Sequence, residues 1–423
     1  MRFQLPKQSF IGAALGTMIE YYDYSLFIVF LPILAPLFFP ADSAYQSLTK
    51  SYALFFISML ARPLGGIIFG YIGDHFGRRK ALLASMYGIA FSTIAIGITP
   101  SFTQIGIWAT ISILLFKTMQ GFCFGGEYNG AGIYVVEHAQ SKLELFISSL
   151  LSSAVLFGSV IGTFVAVIAT AKFSPSWGWR LAFILGGLMG ILGIISRKNL
   201  LESPQFQPAD KLKHDLKNMF RHYPKELIAG FFIGGLSTVP FTTVFTFLNP
   251  VLATKGFFSN HDLMMIQLLL SISAVIALIS IAFFCHAIQP KKVMSFGCVM
   301  MILLSIPLLM SIDQHRLYFY IIFAILMIMA NECVFGPSSA FLKNIFPAHF
   351  RYRASSFSFC LGMAFFGGTT PLIENFLYQK TNHFTAITLW LIFLNVSTFI
   401  VIKLLNTKSE NKINELQPAL EII

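Results

Sequence analysis

The sequence predicts an all-α membrane protein with twelve transmembrane helices in two six-helix bundles, and three observations lead there. The first is composition: of 423 residues, 56% are hydrophobic and only 11% charged, with a mean hydropathy of +0.73. Such a chain carries too little polar surface to cover a soluble globule of its size. The second is the length of the uncharged runs. Residues 81–116 hold two spans hinged near Pro100, and 227–254 and 263–285 hold one each, matching the roughly 20 apolar residues that cross a bilayer. The third is periodicity. Strands of a membrane barrel alternate polar and apolar residues over about ten positions, whereas these runs are apolar all round. With no water to satisfy the backbone inside a bilayer, helices are the remaining solution.

In order, the spans are expected near 11–39, 52–73, 81–99, 105–136, 145–171, 181–199, 226–252, 263–285, 293–311, 317–341, 354–378 and 383–403. Orientation follows from the 29 basic residues: with both termini cytoplasmic, 21 lie on that side, 6 outside, and Arg62 and Lys117 within the membrane. The opposite topology violates the positive-inside rule. The formal charge of +11 is thus a topology signal, and no nucleic-acid partner is expected. Arg2 and Lys7 precede an apolar run that continues to Phe39, far beyond the apolar core of a secretory signal, so this segment is expected to stay in place. A polar stretch with Lys211, Lys213, His214, Asp215, Lys217 and Arg221 divides the chain into a bundle at 1–200, a cytoplasmic linker at 201–225, a second bundle at 226–405 and a short cytoplasmic tail at 406–423. Such a division lets one half rock against the other around a midplane site. The five cysteines (Cys123, Cys285, Cys298, Cys333, Cys360) sit in apolar runs without metal spacing and read as packing residues, neither disulfides nor ligands. No metal and no cofactor is expected.

After the second span comes Gly70-Tyr71-Ile72-Gly73-Asp74-His75-Phe76-Gly77-Arg78-Arg79-Lys80. Its glycines permit a tight turn and close helix approach, and Asp74 with the arginines can form an interhelical charge network that locks the cytoplasmic side. The plainer reading is a positive-inside cluster. This loop resembles the signature loop of the major facilitator superfamily. Further segments are similar to its metabolite:proton symporter family: Gly16-Thr17-Met18-Ile19-Glu20-Tyr21-Tyr22-Asp23-Tyr24, Arg62-Pro63-Leu64-Gly65-Gly66, Gln120-Gly121-Phe122 with Gly125-Gly126-Glu127, Trp177-Gly178-Trp179-Arg180, Leu201-Glu202-Ser203-Pro204, and Phe366-Gly367-Gly368-Thr369 with Pro371-Leu372. Each is weak alone; their ordered set, from about residue 12 to 375, is specific. The resemblance implies a proton-coupled symporter of the bacterial inner membrane. It would import a small carboxylate or zwitterion, such as proline, betaine, 2-oxoglutarate, citrate or shikimate, by alternating access. The functional unit is expected to be the monomer.

Charges within a bilayer cost at least about 2.5 kcal/mol each and are functional candidates by default. Glu20 and Asp23, three apart, share a helix face and are candidate proton carriers, or else a structural hydrogen-bonding pair. Lys117, Gln120 and Glu127 fall within about 80° of arc on the fourth helix, a polar stripe suited to lining a cavity. Glu127 joins the proton-coupling candidates. Lys117 and Gln120 are candidate substrate contacts, Lys117 facing a carboxylate; the alternative is an internal salt bridge. The resemblance implies arginine at position 117, and lysine replaces its bidentate fork with a point charge. The glycines around the stripe read as helix-packing residues. Arg62 calls for a buried acid or carbonyls. Tyr21, Tyr22 and Tyr24 are candidates for an aromatic cage, Tyr21 and Tyr24 being taken as substrate contacts. Trp108, Trp177 and Trp179 read as interface anchors. Glu332 and Glu374 read equally as functional acids or as groups facing a vestibule.

The superfamily pattern repeats its charged loop in both halves, each paired with an acid ending the fourth helix of that half. Here the first half has Asp74, Arg78, Arg79 and Lys80 with Glu137; the second has Ala287 and Pro290 beside Lys291-Lys292, and Asn344 after Lys343 in place of the acid, with Arg351 and Arg353 retained. The expected cytoplasmic gate is therefore asymmetric and rests on Asp74, Arg78, Arg79 and Glu137. Two other functions compete: a drug or metabolite efflux antiporter, against which Phe157–Gly162 lacks the Gly-Pro pair usual in such proteins, and a non-transporting sensor with this fold. A membrane enzyme would need a metal cluster or a nucleophile and base at the interface, and the sequence offers neither.

Overall fold

The structure, a computed structural model, describes residues 7–41, 44–171, 174–197, 202, 216–347 and 351–405. Most of the expected linker, including Lys211, Lys213, His214 and Asp215, lies outside the described residues, as do Arg2 and the tail at 406–423. Among the described residues twelve long helices follow one another: α1 (Lys7–Phe38), α2 (Ala44–Phe76), α3 (Arg78–Ile98), α4 (Ile107–Glu137), α5 (Glu144–Ala169) and α6 (Gly178–Arg197), then α7 (Pro224–Ala253), α8 (Asp262–Phe284), α9 (Pro290–Asp313), α10 (Leu317–Ile345), α11 (Arg351–Thr381) and α12 (Phe384–Leu404), the eleven from α2 onward each holding a run long and apolar enough to cross a membrane. All twelve expected spans coincide with one of them, and among the described residues there is no strand. Two of the rods widen into π-helix, α7 at Thr242–Leu248 and α11 at Met363–Gly367.

Helix ends fall where the chain can satisfy its orphan backbone groups. At α8, the Ser259 hydroxyl accepts from the Asp262 N–H at 3.1 Å while the Asp262 carboxylate accepts from the Ser259 N–H at 3.2 Å, a reciprocal cap that satisfies two donors. At the far end of α11, Asn382 takes φ of 57°, a left-handed residue that terminates the helix. Because α1 to α12 run alternately up and down, the turns α2–α3, α4–α5, α8–α9 and α10–α11 share one end of the bundle with the start of α1 and the finish of α12. That end is called the terminal end below.

The first six helices pack among themselves, as do the last six, and the halves meet chiefly where α5 lies beside α8 and α2 beside α11. Inside the first half α2 and α4 touch backbone to backbone. A Cβ on Gly121 would stand 2.1 Å from the Ser58 carbonyl, and one on Gly125 2.0 Å from that of Arg62. These glycines are four apart, hence on one face, and leave room for Ser58 to donate to the Lys117 carbonyl at 2.8 Å. They are packing residues, as in other close-approaching membrane helices. The cysteines are all free. Of the tryptophans expected at the interface, Trp108 and Trp177 are exposed, but Trp179 is 3% exposed. It packs edge-on against Phe38 and Phe183, because it follows Gly178 by one residue and turns the opposite way from Trp177.

Gly125→Val is expected to force α2 and α4 apart, at an overpacking cost of about 1–3 kcal/mol or more. A lowered thermal midpoint of the purified protein, followed by tryptophan fluorescence, checks this; an unchanged midpoint contradicts the close approach.

Candidate functional site

Between the two halves lies a narrow cleft with a cavity volume of about 30 Å³. The first half lines it with Tyr21 and Tyr24 of α1 and Leu156 of α5; the second half with Ser237, Thr238 and Phe241 of α7, Asn331, Glu332 and Phe335 of α10, and Met363 of α11. The wall is mostly aromatic and apolar with a few polar groups, as small-molecule sites are. Tyr128 of α4 stacks on the lining residue Phe335 with centroids 5.0 Å apart.

Tyr21 and Tyr24 line the cleft, but the other polar candidates of the first half stand elsewhere. Glu20, Asp23, Lys117, Gln120 and Glu127 are all buried, and none of them lines the cleft. The expectation that the α4 stripe lines a cavity is corrected: the stripe faces inward, into the first half, where Lys117 and Glu127 each find a partner. Lys117 donates to the Gln120 carbonyl oxygen at 2.6 Å, the Gln120 amide donates to Thr93 at 2.8 Å, and the Thr93 hydroxyl donates to Asp23 at 2.5 Å. Every hydrogen bond points from the ammonium toward the carboxylate, so two neutral groups carry the attraction between two buried ions. Phe27 covers the ammonium with its ring centroid 4.2 Å away. Tyr22 is likewise no cage residue, since its hydroxyl donates to the Ala182 carbonyl at 2.9 Å. Glu20 keeps one buried carboxylate oxygen without a hydrogen-bond partner.

Glu127 belongs to a second cluster, built around a residue that sequence reasoning assigned only to the positive-inside count. Arg197, the last residue of α6, is fully buried and forms a bidentate ion pair with Glu127. Its remaining donors reach the carbonyls of Leu82 at 2.9 Å and Gly12 at 3.2 Å, and Ser85 donates to Glu127 at 2.8 Å. A planar fork with every donor used is the geometry in which a buried arginine holds a carboxylate best. Gly16 makes it possible: a Cβ there would lie 1.7 Å from the guanidinium. The signal was available in the Gly16 motif, but nothing local marks Arg197 as turned inward. Arg62 makes no ion pair among the described residues; its guanidinium lies 5.1 Å from the ring centroids of both Tyr24 and Phe124, and its Nε is buried without a hydrogen-bond partner.

The terminal end is closed by charge. Asp74 pairs with Arg78 in a short contact and accepts from the Arg353 backbone N–H at 3.2 Å. Glu137 lies 3.6 Å from Arg78 and 3.0 Å from Arg351, and Glu144 accepts from Lys343 and Asn344, both at 2.8 Å. The structure thus brings Asp74, Arg78 and Glu137 together, with Arg79 half-buried beside them. The missing acid of the second half has a counterpart in sign: the first half supplies the carboxylates that face across, the second half the cations. Lys291 donates to the Leu405 carbonyl at 2.9 Å within its own half.

Comparison with known proteins gives the fold and site a context. The model of the Major Facilitator Superfamily matches residues 13–371. The glycine betaine/proline/ectoine/pipecolic acid transporter OusA of Dickeya dadantii is 29% identical, covering 89% of this chain and 78% of its own length. The proline/betaine transporter of Escherichia coli strain K12 is 28% identical over 89% of this chain and 79% of its own. Among solved structures, the proton:xylose symporter XylE bound to 6-bromo-6-deoxy-D-glucose superposes with a TM-score of 0.76 at 15% identity, covering 93% of this chain and 94% of that one. XylE from E. coli in a partially occluded inward-open conformation gives 0.73 at the same 15%, over 95% and 98%.

Glu127→Gln leaves the Arg197 cation buried and half-paired, at an expected cost of about 3–5 kcal/mol. Unfolding in graded denaturant should show this, and the double variant Glu127→Leu/Arg197→Met should recover most of it. Asp74→Asn is expected to open the terminal end, raising labelling of cysteines introduced in the α2–α3 turn, while Lys291→Gln leaves labelling unchanged. Equal effects of the two substitutions would refute the asymmetric closure.

Proposed function

The chain belongs to the Major Facilitator Superfamily and is a multi-pass membrane transporter, and from that premise we propose that it imports a small zwitterionic or carboxylate metabolite together with protons. The observation that carries this reading is the cleft itself: it is shared by the two halves and shut at the terminal end by ion pairs that run from one half to the other. In alternating access the substrate binds there, the halves rock, and the terminal-end pairs break to release it. We place both termini in the cytoplasm of a bacterial inner membrane, with one chain as the working unit.

Within this scheme Tyr21 and Tyr24 touch the substrate. Glu20, with an oxygen lacking a hydrogen bond, and Asp23, at the receiving end of the Lys117–Gln120–Thr93 chain, carry the coupling proton. Lys117 and Gln120 tune Asp23 rather than contact substrate. Glu127 serves the frame through Arg197. Asp74, Arg78, Arg79 and Glu137 form the gate that must open at each turnover. The two relatives named for proline and betaine support a zwitterionic cargo over a di- or tricarboxylate, and so does a cleft lined by an acid and by no basic side chain.

Purified protein in liposomes loaded at pH 7.5, diluted into medium at about pH 6, is expected to accumulate labelled glycine betaine or proline above equilibrium, and a proton ionophore should abolish the accumulation. Accumulation driven by a sodium gradient alone would replace the proton, and the same uptake with no gradient dependence would remove coupling altogether.

A further inference from the structure

Several acids are buried in the membrane-spanning part, and their surroundings separate them. Asp23 receives a hydrogen bond from Thr93 at 2.5 Å, Glu127 is held by Arg197, and Glu374 receives one from Thr243 at 2.6 Å. Asp23, Glu374 and Glu20 each also keep one buried carboxylate oxygen without a hydrogen-bond partner, and Glu332 differs from them in its position. It lines the cleft, and its Oε2, buried in a side chain only 1% exposed, has no hydrogen-bond partner. Next to it Asn331 donates its amide to the Ser237 carbonyl at 3.3 Å and is left with a buried, unpartnered Oδ1. Two acceptor oxygens therefore stand on one turn of α10 beside an empty space, with no protein donor to meet them.

A buried carboxylate with neither a donor nor a counter-charge is costly, so a cation brought against it is favoured, with or without an N–H to donate. Tyr21, Tyr24 and Phe335 present aromatic faces and edges to the same space, surfaces that attract a cation through the ring quadrupole. No lysine or arginine is among the described lining residues; Arg62 stands against Tyr24, its guanidinium 5.1 Å from the ring centroid.

We infer that Glu332 is a specificity-determining residue for the bound molecule, its carboxylate receiving a positively charged nitrogen within the aromatic wall. Arg62, across Tyr24, gives the cleft a polarity, acid on the α10 side and base on the α2 side, that aligns a zwitterion with its ammonium toward Glu332. A molecule carrying only carboxylates would bring like charge against that acid and is excluded. This assignment rests on the reading of the chain as a carrier of small zwitterions, but makes a separate claim about which residue reads the cationic end.

The test uses full-length protein in nanodiscs, with glycine betaine and tetramethylammonium as probes and equilibrium binding as the readout, beside proteoliposome uptake. Wild type is expected to bind both. Glu332→Gln is expected to weaken both by at least tenfold, Glu332→Asp by less, and Glu374→Gln, the same change at an acid away from the cleft, to bind as wild type does. Gel filtration establishes that each variant is folded; if Glu332→Gln is not, the graded loss in Glu332→Asp decides. Wild-type affinity in Glu332→Gln, with accumulation lost, would make Glu332 a proton carrier and overturn the inference while leaving the transport function intact. Tetramethylammonium binding lost in Glu332→Gln while wild type takes up no glycine betaine would keep the cation subsite and remove the zwitterion. Failure of wild type to bind either probe would overturn the subsite.

Discussion

A guanidinium and a carboxylate sealed in hydrocarbon must satisfy one another, because nothing else near them can. The Arg197–Glu127 fork meets that demand with all of its donors engaged, and in doing so ties the last turn of α6 to the middle of α4, the start of α3 and the start of α1. Much of the first half is arranged around it. Gly16 is bare so that the guanidinium can pass, and Ser85 turns its hydroxyl to the remaining lone pair. The Lys117 to Asp23 chain extends the same principle one helical layer further from the terminal end, with Thr93 and Gln120 standing where water would otherwise be required. Within the first half these two networks answer much of the buried charge, while Glu20 Oε2, Asp23 Oδ1 and Arg62 Nε stay without hydrogen-bond partners.

The second half also leaves buried polar atoms open, among them oxygens of Glu332, Asn331 and Glu374, and there two of these residues border the cleft. At the terminal end it supplies the cations, Lys343, Arg351 and the Arg353 segment, that meet carboxylates of the other half. A contact of acids against bases across a dividing plane holds without fine register, because each charge has more than one acceptable neighbour. It is also sensitive to water, since every pair weakens as the dielectric rises. A closure of this kind is strong when dry and loosens once solvent enters.

The fold was legible in the sequence because hydrophobic length is a local property: each run reports its own span, and all twelve fall on a helix. The closing charges were legible for a related reason, since Asp74 and Arg78 are four apart on the chain and Glu137 ends a span. What could not be read was the direction in which polar residues face. Lys117, Gln120 and Glu127 do share a helix face, as their spacing requires, but whether that face looks toward the other half or into its own depends on how α4 rotates against α1, α3 and α6. Arg197 was hidden for the same reason, counted with the loop charges because it sits at a helix end. Trp179 shows the effect at its smallest, one residue of phase beyond Gly178 being enough to bury it. Glu332 could be flagged as an acid in an apolar run, but its place in the cleft follows from the packing of α7, α10 and α11.

The wide turns of α7 and α11 bear on how such a body moves. Each places an i→i+5 loop within or beside the segments that border the cleft, next to Phe241 and including Met363. A π-turn holds about one residue more than an α-turn, and gaining or losing it swings the far part of the rod by roughly 100° of phase. These two shafts therefore contain slack. The two shafts thus carry their spare residue at the height of the cleft, where a change of winding costs fewer hydrogen bonds than it would in a regular α-helix.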